Sequence, residues 1–198
     1  MHTARMASMD TRTEPLPCIG VVLAGGLSSR MGRDKALLSW RGRPLIEHQL
    51  EVLREAGADE VRVSGARPDY AGIADPIAQA GPLGGLAGIA EATAGEADLL
   101  VIPVDMPLLR AGLLRRLRDE RPRARSLSFA ARVLPLRLRL DAGSRMALAD
   151  LMSRDDPRQR SIRALQAAIG HEELALDAVE AAQLADCNTA TEWNEVAG

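Results

Sequence analysis

The sequence predicts an α/β fold, a three-layer α/β/α sandwich whose mostly parallel sheet carries an antiparallel edge. Short apolar runs typical of buried strands alternate with helical patterns along the first half of the chain. Such β–α–β units join through right-handed crossovers, which place helices on both faces of a parallel sheet. The 198 residues are 46% hydrophobic and 26% charged, a composition that supports one packed globular domain.

The first half of the chain supplies the parallel strands. Residues 19–24 are a short apolar run that a glycine pair ends, which is typical of a buried strand. Pro44 opens a helical pattern, because a first helical turn does not need its missing N–H, and Gly57 ends the pattern. The elements predicted here, in chain order, are a strand at 19–24, a glycine- and serine-rich loop at 25–35, a helix between Pro44 and Gly57, a strand at 60–64, a helix at 81–94 and a strand at 98–104.

The second half is less regular and predicts the antiparallel edge. Residues 136–140 alternate leucine with arginine, which predicts a half-buried strand within a longer strand-like stretch at 127–140. The leucines of residues 111–120 share one helical face. The remaining predicted elements are helices at about 144–152 and 161–169, a short strand at 174–176 and a last helix at 190–196. We expect residues 1–17 to form a flexible tail and residues 18–198 a single domain.

Charge and composition exclude several classes of function. The 25 basic and 27 acidic residues leave a net charge of -2, and aromatic residues make up 2%. We therefore expect no nucleic-acid partner and no attraction to acidic membranes. No apolar run approaches the ~20 residues of a membrane span. Cys18 and Cys187 are too few for a disulfide framework and fit a reducing cytoplasm.

Three candidate ligand-binding segments follow the predicted parallel strands. In open α/β sheets, ligands bind outside the carboxyl ends of the strands. The loop after Ala24, the segment after Ser64 and the carboxylate of Asp105 all lie at such ends. We therefore expect a glycine loop, a lysine and a carboxylate to lie close together.

The glycine loop after the first strand has the composition of a polyphosphate cradle. Gly25 and Gly26 let backbone N–H groups approach an anion closely, Ser28 adds a hydroxyl donor, and Arg30 and Lys35 add positive charge. Lys35 is the single lysine among 25 basic residues, so it is either an accident of composition or a position where a compact ammonium is needed. The spacing fits neither the Walker A pattern nor the G-x-G-x-x-G pattern.

This loop resembles the signature of the MobA family of molybdenum cofactor guanylyltransferases, L-A-G-G-x-S-x-R-M-G-x-D-K, and residues 23–35 match every defined position. The resemblance continues at 81–85, 103–107 and 188–189. It implies the Rossmann-like nucleotidyltransferase version of the predicted fold. Sugar-1-phosphate nucleotidyltransferases usually carry G-T-R-L after the glycines and related cytidylyltransferases L-A-A-G, so Gly25 favours the guanine-using branch.

Asp105 is the candidate metal ligand. A carboxylate at the end of a buried strand is either a turn or helix-capping residue or a hard oxygen ligand for Mg²⁺, which prefers carboxylates and substrate phosphates. The resemblance implies the second role, because the aspartate of the family's P-x-D-x-P motif binds the catalytic metal. It also implies that Asn188 approaches the same ion, as the second Asn of an N-x-N-T motif in which Asp186 replaces the first.

The resemblance also implies where the nucleotide binds. Asp75 aligns with an acidic residue used on the nucleoside. Ser64 stands where the family usually has Asn, and a short hydroxyl cannot make the bidentate contacts of an amide. Gly81 starts a segment that is either a tight turn or a close backbone approach to the nucleotide. Backbone groups after the first strand would contact the base, and the implied nucleotide set is completed by Leu23, Ala24, Gly25, Gly26, Ser28, Lys35 and Asp105.

The acceptor side carries weaker signals. Leu134 stands where the family usually has His or Gln before a proline. The segment His171-Glu172-Glu173 is interpreted as a helix end or a loop rather than a metal site. An arginine cluster could attract an anionic acceptor or a partner protein, although a solvated helix face is the favoured interpretation; it comprises Arg115, Arg116, Arg118, Arg121, Arg123 and Arg125.

The resemblance implies an enzyme that uses Mg²⁺ to transfer GMP from GTP to the phosphate of the molybdopterin cofactor, with release of pyrophosphate. Arg30, Lys35 and Asp105 would be the catalytic residues. The implied partners are the two substrates and, transiently, cofactor-delivering proteins or molybdoenzymes. Three alternatives stay open: a CTP-dependent molybdopterin cytidylyltransferase, a sugar- or alditol-phosphate nucleotidyltransferase, and a non-catalytic nucleotide-binding module. The altered residues on the base and acceptor sides motivate the last of these.

Overall fold

The computed structural model describes residues 15–25, 34–78 and 80–197. The predicted tail lies almost wholly outside these ranges, so the division into a tail and one domain stays a prediction. Three residues predicted in the glycine loop, Gly26, Ser28 and Arg30, also lie outside the described residues. None of the helices in the described ranges is long and apolar enough to cross a membrane.

The described residues contain a six-stranded sheet and a short hairpin. In chain order the strands are β1 (Cys18–Leu23), β2 (Ser39–Trp40), β3 (Arg43–Pro44), β4 (Glu60–Ser64), β5 (Ala97–Pro103), β6 (Ser126–Phe129), β7 (Leu136–Leu140) and β8 (Glu172–Leu174). The sheet has the order β4-β1-β5-β7-β6-β8, and β2 pairs with β3. β1 is parallel to β4 and β5, which confirms the mostly parallel sheet. β7 runs antiparallel between β5 and β6, within the edge that the second half of the chain adds.

Helices cover both faces of the sheet, which confirms the three-layer arrangement. They are α1 (Leu45–Glu55), α2 (Gly81–Glu91), α3 (Ala111–Asp119), α4 (Ala142–Ser153), α5 (Ile162–Ile169), α6 (Ala178–Ala182) and α7 (Ala190–Ala197). Val22 and Leu100 pack with α1 and α3 on one face. Val21 and Leu99 pack with α2, α4 and α5 on the other. Neighbouring strand residues point to opposite faces, so strands buried on both sides must be apolar throughout, as the sequence showed.

The strand register brings three carboxyl ends to one level. Leu23, the last residue of β1, pairs with Ser64 of β4 on one side and with Pro103 of β5 on the other. Asp105 follows β5 by two residues. The strand register therefore confirms that the chain after Ala24, the segment after Ser64 and Asp105 lie at one edge of the sheet.

Several short elements differ from prediction, among them helix α6, which was not predicted. The β2–β3 hairpin was not predicted; its turn residues Arg41 and Gly42 have φ values of 50° and 84°, as a type I′ turn requires. The last strand lies at Glu172–Leu174 rather than at 174–176. Two glutamates assigned to a helix end or loop are thus strand residues, because β8 pairs with the exposed edge of β6.

Most side chains of the arginine cluster form hydrogen bonds or ion pairs with other parts of this chain. Arg116 bonds to Glu120 and Glu180, and so ties α3 to α6. Arg118 donates to the backbone carbonyl of Ala56, and the side chains of Arg115, Arg121 and Arg125 likewise bond to groups of this chain. These contacts within the chain argue against the interpretation of the cluster as a binding site for an anionic acceptor.

The buried Arg137 shows how the second half of the sheet is joined to α3. Its position in the alternating β7 pattern predicts an exposed side chain, yet it is 2% exposed. Its guanidinium donates to the carbonyl oxygens of Arg118, Glu120 and Arg121 at 2.6, 2.9 and 2.5 Å. Carbonyls at a helix C-terminus have no partner within the helix, so this cation satisfies them.

Candidate active site

The predicted site residues line one cavity at the carboxyl ends of β4, β1 and β5. Its volume is about 400 Å³. The structure places there every predicted nucleotide-binding residue that it describes: Leu23, Ala24, Gly25, Lys35, Ser64, Asp75, Gly81 and Asp105. Asp34 and Arg67 also line it; Asp34 was seen only as a position of the signature, and Arg67 was not singled out in the segment after Ser64. Asn188, the other predicted metal ligand, is not among the lining residues, but its Oδ1 accepts a hydrogen bond from Lys35, which is.

Lys35 links the two predicted metal ligands. Its Nζ lies 3.1 Å from Asp105 Oδ2 and 2.6 Å from Asn188 Oδ1. The side chains of Lys35 and Asp105 are 14% and 23% exposed, so the pair is partly withdrawn from water but open to a ligand. Hydrogen bonds between charged groups are stronger in such surroundings than in bulk solvent. The arrangement holds a cation and two oxygen ligands at one point of the cavity wall.

Backbone contacts hold the segment that carries Asp105. The buried Gln49 of α1 donates from Nε2 to the carbonyl oxygens of Val104 and Met106 at 3.3 and 2.7 Å. The N–H of Cys187 donates to the carbonyl of Asp105 at 2.9 Å. Gln49 was missed from sequence because it looks like one more polar residue of an amphipathic helix. Its burial is visible only once α1 lies on the sheet.

The orientation of Asn188 follows from its second hydrogen bond. Its Nδ2 donates to Asp186 Oδ2 at 2.5 Å, which leaves Oδ1 directed to Lys35. The N–H groups of Asn188 and Thr189 both donate to Glu192, at 2.7 and 2.9 Å, where α7 begins. Trp193 of α7 packs edge-on against Trp40 of the hairpin, with ring centroids 5.7 Å apart. The aromatic pair thus joins the chain segments that carry Asn188 and Lys35.

An ion pair between Asp34 and Arg67 closes the side of the site next to β4. Arg67 donates from both terminal nitrogens to Asp34 at 2.6 and 2.8 Å, and from Nε to the Ala24 carbonyl at 2.8 Å. Asp34 also accepts from the N–H of Ala36 at 3.1 Å and so caps the 3-10 turn that starts at Lys35. The guanidinium of Arg67 holds the pKa of the Asp34 carboxyl below its usual value. This pair positions Lys35, and the sequence offered no signal that Arg67 would take part.

Gly25 and Gly65 lie back to back at the ends of β1 and β4. Gly65 has a φ of +119°, and a Cβ added there would lie 2.6 Å from Gly25 Cα. A side chain at Gly65 would therefore push apart the two chain segments that wall the cavity.

We expect Gly65→Ala to lower the free energy of unfolding by about 1–3 kcal/mol, because the backbone conformation is strained for alanine and the added Cβ meets backbone. Urea unfolding measures the change. Gly112→Ala is the matched control: Gly112 lies in α3, and its added Cβ would meet no atom within 4 Å. Equal stability of the two variants would contradict the close approach of the two glycines.

Asp75 and Ser64 form the inner wall beside α2. Asp75 Oδ1 is buried without a hydrogen-bond partner, and burial raises the pKa of this carboxyl, an effect that the Ser64 hydroxyl partly offsets. Ser64 is 2% exposed, and a Cβ added to Gly85 would lie 2.2 Å from its Oγ. The glycine of α2 is therefore needed for close packing here, and the unpartnered carboxylate oxygen is suited to accept a hydrogen bond from a ligand.

The oxygen donors in the cavity fit a divalent cation. Asp105 and Asn188 supply a carboxylate and an amide oxygen, hard ligands of the kind Mg²⁺ prefers, and both already contact one cationic group, Lys35 Nζ. Within the described ranges, three or more His, Cys, Asp or Glu side chains are nowhere grouped to hold a metal ion. Sites of this kind usually combine one or two protein oxygens with substrate phosphates.

Comparison with known proteins assigns the family. The family model of the MobA-like NTP transferase domain matches residues 20–171. The chain belongs to this family. A molybdenum cofactor guanylyltransferase of Xanthomonas euvesicatoria pv. vesicatoria (strain 85-10) is 49% identical over 180 residues, which cover 91% of this chain and 94% of that protein. The relative of the same name from Pseudomonas fluorescens (strain SBW25) is 39% identical over 120 residues, 56% of this chain and 59% of its own length. The resemblance seen in the glycine loop is thus confirmed.

Solved structures of this MobA-like fold agree. Molybdopterin-guanine dinucleotide biosynthesis protein A from Archaeoglobus fulgidus superimposes with a TM-score of 0.70 at 17% identity, covering 90% of this chain and 96% of that one. A nucleotidyl transferase from Methanothermobacter thermautotroptrophicus gives a TM-score of 0.69 at 19% identity, over 91% and 96% of the two chains. At these identities the likeness shows the nucleotidyltransferase fold. Nucleotidyltransferases of this kind generally use a divalent metal.

Proposed function

We propose that this MobA-like NTP transferase transfers GMP from GTP to the phosphate of molybdopterin and releases pyrophosphate. The near-full-length relative at 49% identity carries the name of that activity. The observation in the structure that carries the proposal is the contact of Lys35 with both Asp105 and Asn188 at the edge of a cavity that Gly25 also lines. That arrangement offers positive charge and oxygen ligands where a triphosphate would lie.

The chemistry asks the protein for alignment and charge neutralisation. The phosphate of molybdopterin is ionised at neutral pH, so it can attack the α-phosphorus of GTP without a strong general base. Lys35 is positioned to hold the triphosphate, and the backbone at Gly25 to let it approach. Arg30, outside the described residues, is proposed to share the charge of the triphosphate with Lys35. Donors fixed in advance stabilise the developing charge because they need no reorganisation during the reaction.

Asp105 and Asn188 are proposed to hold Mg²⁺ together with substrate phosphates. Bound there, the ion would neutralise phosphate charge and stabilise the leaving pyrophosphate. The hydrogen bond from Asn188 Nδ2 to Asp186 makes Asn188 Oδ1 the amide atom available to a cation. We therefore assign the ligand role to Asn188 rather than to Asp186.

The base is proposed to lie against Asp75. Its unpartnered Oδ1 is an acceptor, and guanine offers an N–H and an amino group along one edge. Ser64, buried in place of the usual Asn, leaves a CTP-dependent activity as the second candidate. GTP and CTP are separated by their effects on thermal unfolding, because the nucleotide that binds the folded state more tightly raises the unfolding temperature more.

Pyrophosphate release tests the function directly. The full chain is mixed with Mg²⁺, molybdopterin and either GTP or CTP, and pyrophosphate is measured by a coupled assay. Release that requires both GTP and molybdopterin is expected. Release with CTP and molybdopterin but not with GTP would indicate the cytidylyltransferase. Release with sugar or alditol phosphates in place of molybdopterin would indicate a sugar- or alditol-phosphate nucleotidyltransferase. Nucleotide binding without turnover on any acceptor would indicate a non-catalytic module.

We expect Asp75→Asn to weaken GTP binding by about tenfold or more, because a hydrogen bond to a charged group is worth about 1.5–3 kcal/mol. The side-chain NH2 of Asn would in addition face the N–H groups of guanine, and two donors cannot form a hydrogen bond. Isothermal titration with GTP·Mg²⁺ measures the change. Asp69→Asn is the control, since Asp69 is exposed on the same connection and does not line the cavity. Unaltered GTP affinity in Asp75→Asn would contradict the assigned base contact.

The same variant has a pH-dependent signature. Burial raises the pKa of Asp75 in the folded protein, so this carboxyl favours the folded state most at pH values below its unfolded pKa. That contribution is lost as pH rises through the folded pKa. Asp75→Asn should remove this part of the pH dependence, which unfolding curves of both proteins across the acidic range would detect.

Two further expectations stay predictions. Transient contact with cofactor-delivering proteins or molybdoenzymes follows from the proposed product, which has to be handed on. The cytoplasmic location rests on cysteine usage: Cys18 and Cys187 are free and buried, and burial raises the pKa of the Cys18 thiol to about 11. Such thiols are inert and need no oxidising compartment.

A further inference from the structure

A second, smaller cavity lies beside the nucleotide cavity. Its volume is about 300 Å³, and it shares Pro103, Asp105 and Leu134 with the larger one. Asp105 thus stands on the boundary between two spaces. A transfer reaction needs its two substrates to meet at one point with reacting atoms about 3–3.5 Å apart. The shared wall at Asp105 provides such a meeting point.

The smaller cavity combines opposite charges. Its walls carry the carboxylates of Asp105 and Asp186 and the guanidinium of Arg132. Arg132 is exposed, and its guanidinium forms no hydrogen bond or ion pair with any residue that the structure describes. By contrast, the guanidinium of Arg116 bonds to Glu120 and that of Arg118 to the backbone carbonyl of Ala56. An uncommitted guanidinium beside a reaction centre is suited to bind a phosphate through two parallel hydrogen bonds.

The backbone at Arg132 is held firmly. Its carbonyl accepts from the buried Ser128 Oγ at 2.7 Å, and its N–H donates to the carbonyl of Phe129 at 2.9 Å. The preceding Ala131 has a φ of 60°, a left-handed conformation that costs an alanine of order 1 kcal/mol or more. Such conformations persist where the surrounding structure fixes them, and they cluster at functional sites. The loop therefore presents Arg132 in a defined place.

The other walls of the small cavity are apolar. They are Pro103, Met106, Ala131, Val133 and Leu134. Apolar walls with a few placed polar groups are usual for sites that bind ring-bearing small molecules. The cavity therefore suits a ligand with an anionic end and a less polar body.

We propose that Arg132 binds the terminal phosphate of the acceptor, a phosphate monoester on a ring-bearing body, and directs it toward Asp105. This inference rests on the proposed function and names the residue that recognises its second substrate. Leu134, at the position where the family usually has a polar residue, cannot bond to an anion. Arg132, two residues earlier on the same wall, supplies the charge instead.

The bound phosphate takes part in a balanced substitution. An ionised oxygen of the acceptor phosphate forms a bond to the α-phosphorus of the nucleoside triphosphate. The bond from that phosphorus to the oxygen bridging to the β-phosphate breaks, and pyrophosphate leaves with the electron pair. No oxidant or reductant is required. Arg132 stays bound to the acceptor phosphate through charge-assisted hydrogen bonds and does not itself exchange a proton.

Equilibrium binding of molybdopterin in the absence of nucleotide tests the assignment. The full-length wild type is compared with two variants. Arg132→Met removes the positive charge, and Arg132→Lys keeps the charge but lacks the two parallel N–H donors of the guanidinium. We expect affinity to fall about tenfold or more in Arg132→Met, with partial recovery in Arg132→Lys. Arg123→Met is the matched control, because Arg123 is an exposed arginine that lines neither cavity. Unfolding temperatures establish that all four proteins are folded.

Steady-state pyrophosphate release forms the second arm. For Arg132→Met, a raised KM for molybdopterin with an unchanged KM for GTP is expected. Equal molybdopterin affinity in wild type and Arg132→Met, or no binding to the wild type, would overturn the role of Arg132. If the wild type binds molybdopterin but releases no pyrophosphate with GTP, the proposed function fails while the acceptor site stands. The two failures are thus distinguishable.

Discussion

Lys35→Ala is expected to slow pyrophosphate release by about 100-fold or more, as the loss of one fixed charge donor does in other active sites. Its Nζ contacts both Asp105 and Asn188, and it lies in the cavity proposed for the triphosphate. Removing it leaves the phosphates without this cation and Asp105 without its partner. Steady-state assays with saturating molybdopterin measure the loss, and wild-type turnover in the variant would remove Lys35 from the catalytic set.

Lys35→Arg separates charge from shape. An arginine keeps the positive charge, but its planar guanidinium is larger and places its donors in a fork. Lys35 Nζ lies 2.6 Å from the Asn188 amide oxygen and 3.1 Å from an Asp105 carboxylate oxygen, so one compact ammonium contacts both groups. We therefore expect Lys35→Arg to recover little activity. Full recovery would mean that the single lysine of this arginine-rich chain is an accident. Arg43→Ala, which removes an exposed cation from the nearby hairpin, is the control.

Asp105→Asn is expected to reduce metal-dependent pyrophosphate release by about 10³-fold or more, because a bound divalent cation contributes several kcal/mol to stabilising phosphate charge. The substitution keeps the shape of the side chain and an oxygen that can accept from Lys35. It removes the negative charge proposed to hold a metal ion, so the effect would report ion binding rather than packing.

A binding measurement complements this assay. Mn²⁺, used as a spectroscopic substitute, is titrated into the protein with GTP present, and its affinity is measured by electron paramagnetic resonance. Affinity should fall in Asp105→Asn and in Asn188→Ala. Asp186→Asn is the informative neighbour: it removes a carboxylate from the same rim but leaves Asn188 Oδ1 in place. Unchanged Mn²⁺ affinity in Asp105→Asn would show that this carboxylate is not a ligand.

Much of the fold could be predicted because its signals are local. The buried strands β1 and β5 are apolar over almost every residue, and their ends are marked by glycines and by the Asp-Met-Pro segment after β5. A strand that is buried on both faces has no polar face, so it is recognisable without its neighbours. Helices with one leucine-rich face, such as α3, are equally recognisable.

Short elements were not predicted from the sequence, because their stability comes from partners that are distant along the chain. The hairpin before α1 buries Trp40 against Trp193, some 150 residues later, and β8 exists through its pairing with β6. A three-residue strand has too little pattern of its own to be seen. Arg137 was misleading for the same reason, since an alternating strand predicts an exposed arginine where the tertiary structure buries one under the end of α3.

The sequence by itself determined the family, the parallel strands and the principal chemical groups of the site, because the signature of residues 23–35 and the apolar strands are contiguous patterns. Only the tertiary structure decided how those groups meet. Lys35 and Asn188 are 153 positions apart, and Arg67 reaches Asp34 across 33. Such contacts depend on the order and register of the strands. These bring the segments that follow the strand ends together, whatever their separation in sequence. The structure also revealed Gln49 as the support of the segment that carries Asp105, and Arg132 as a guanidinium on the wall of the smaller cavity, because burial and position in a cavity are properties of neighbours in space.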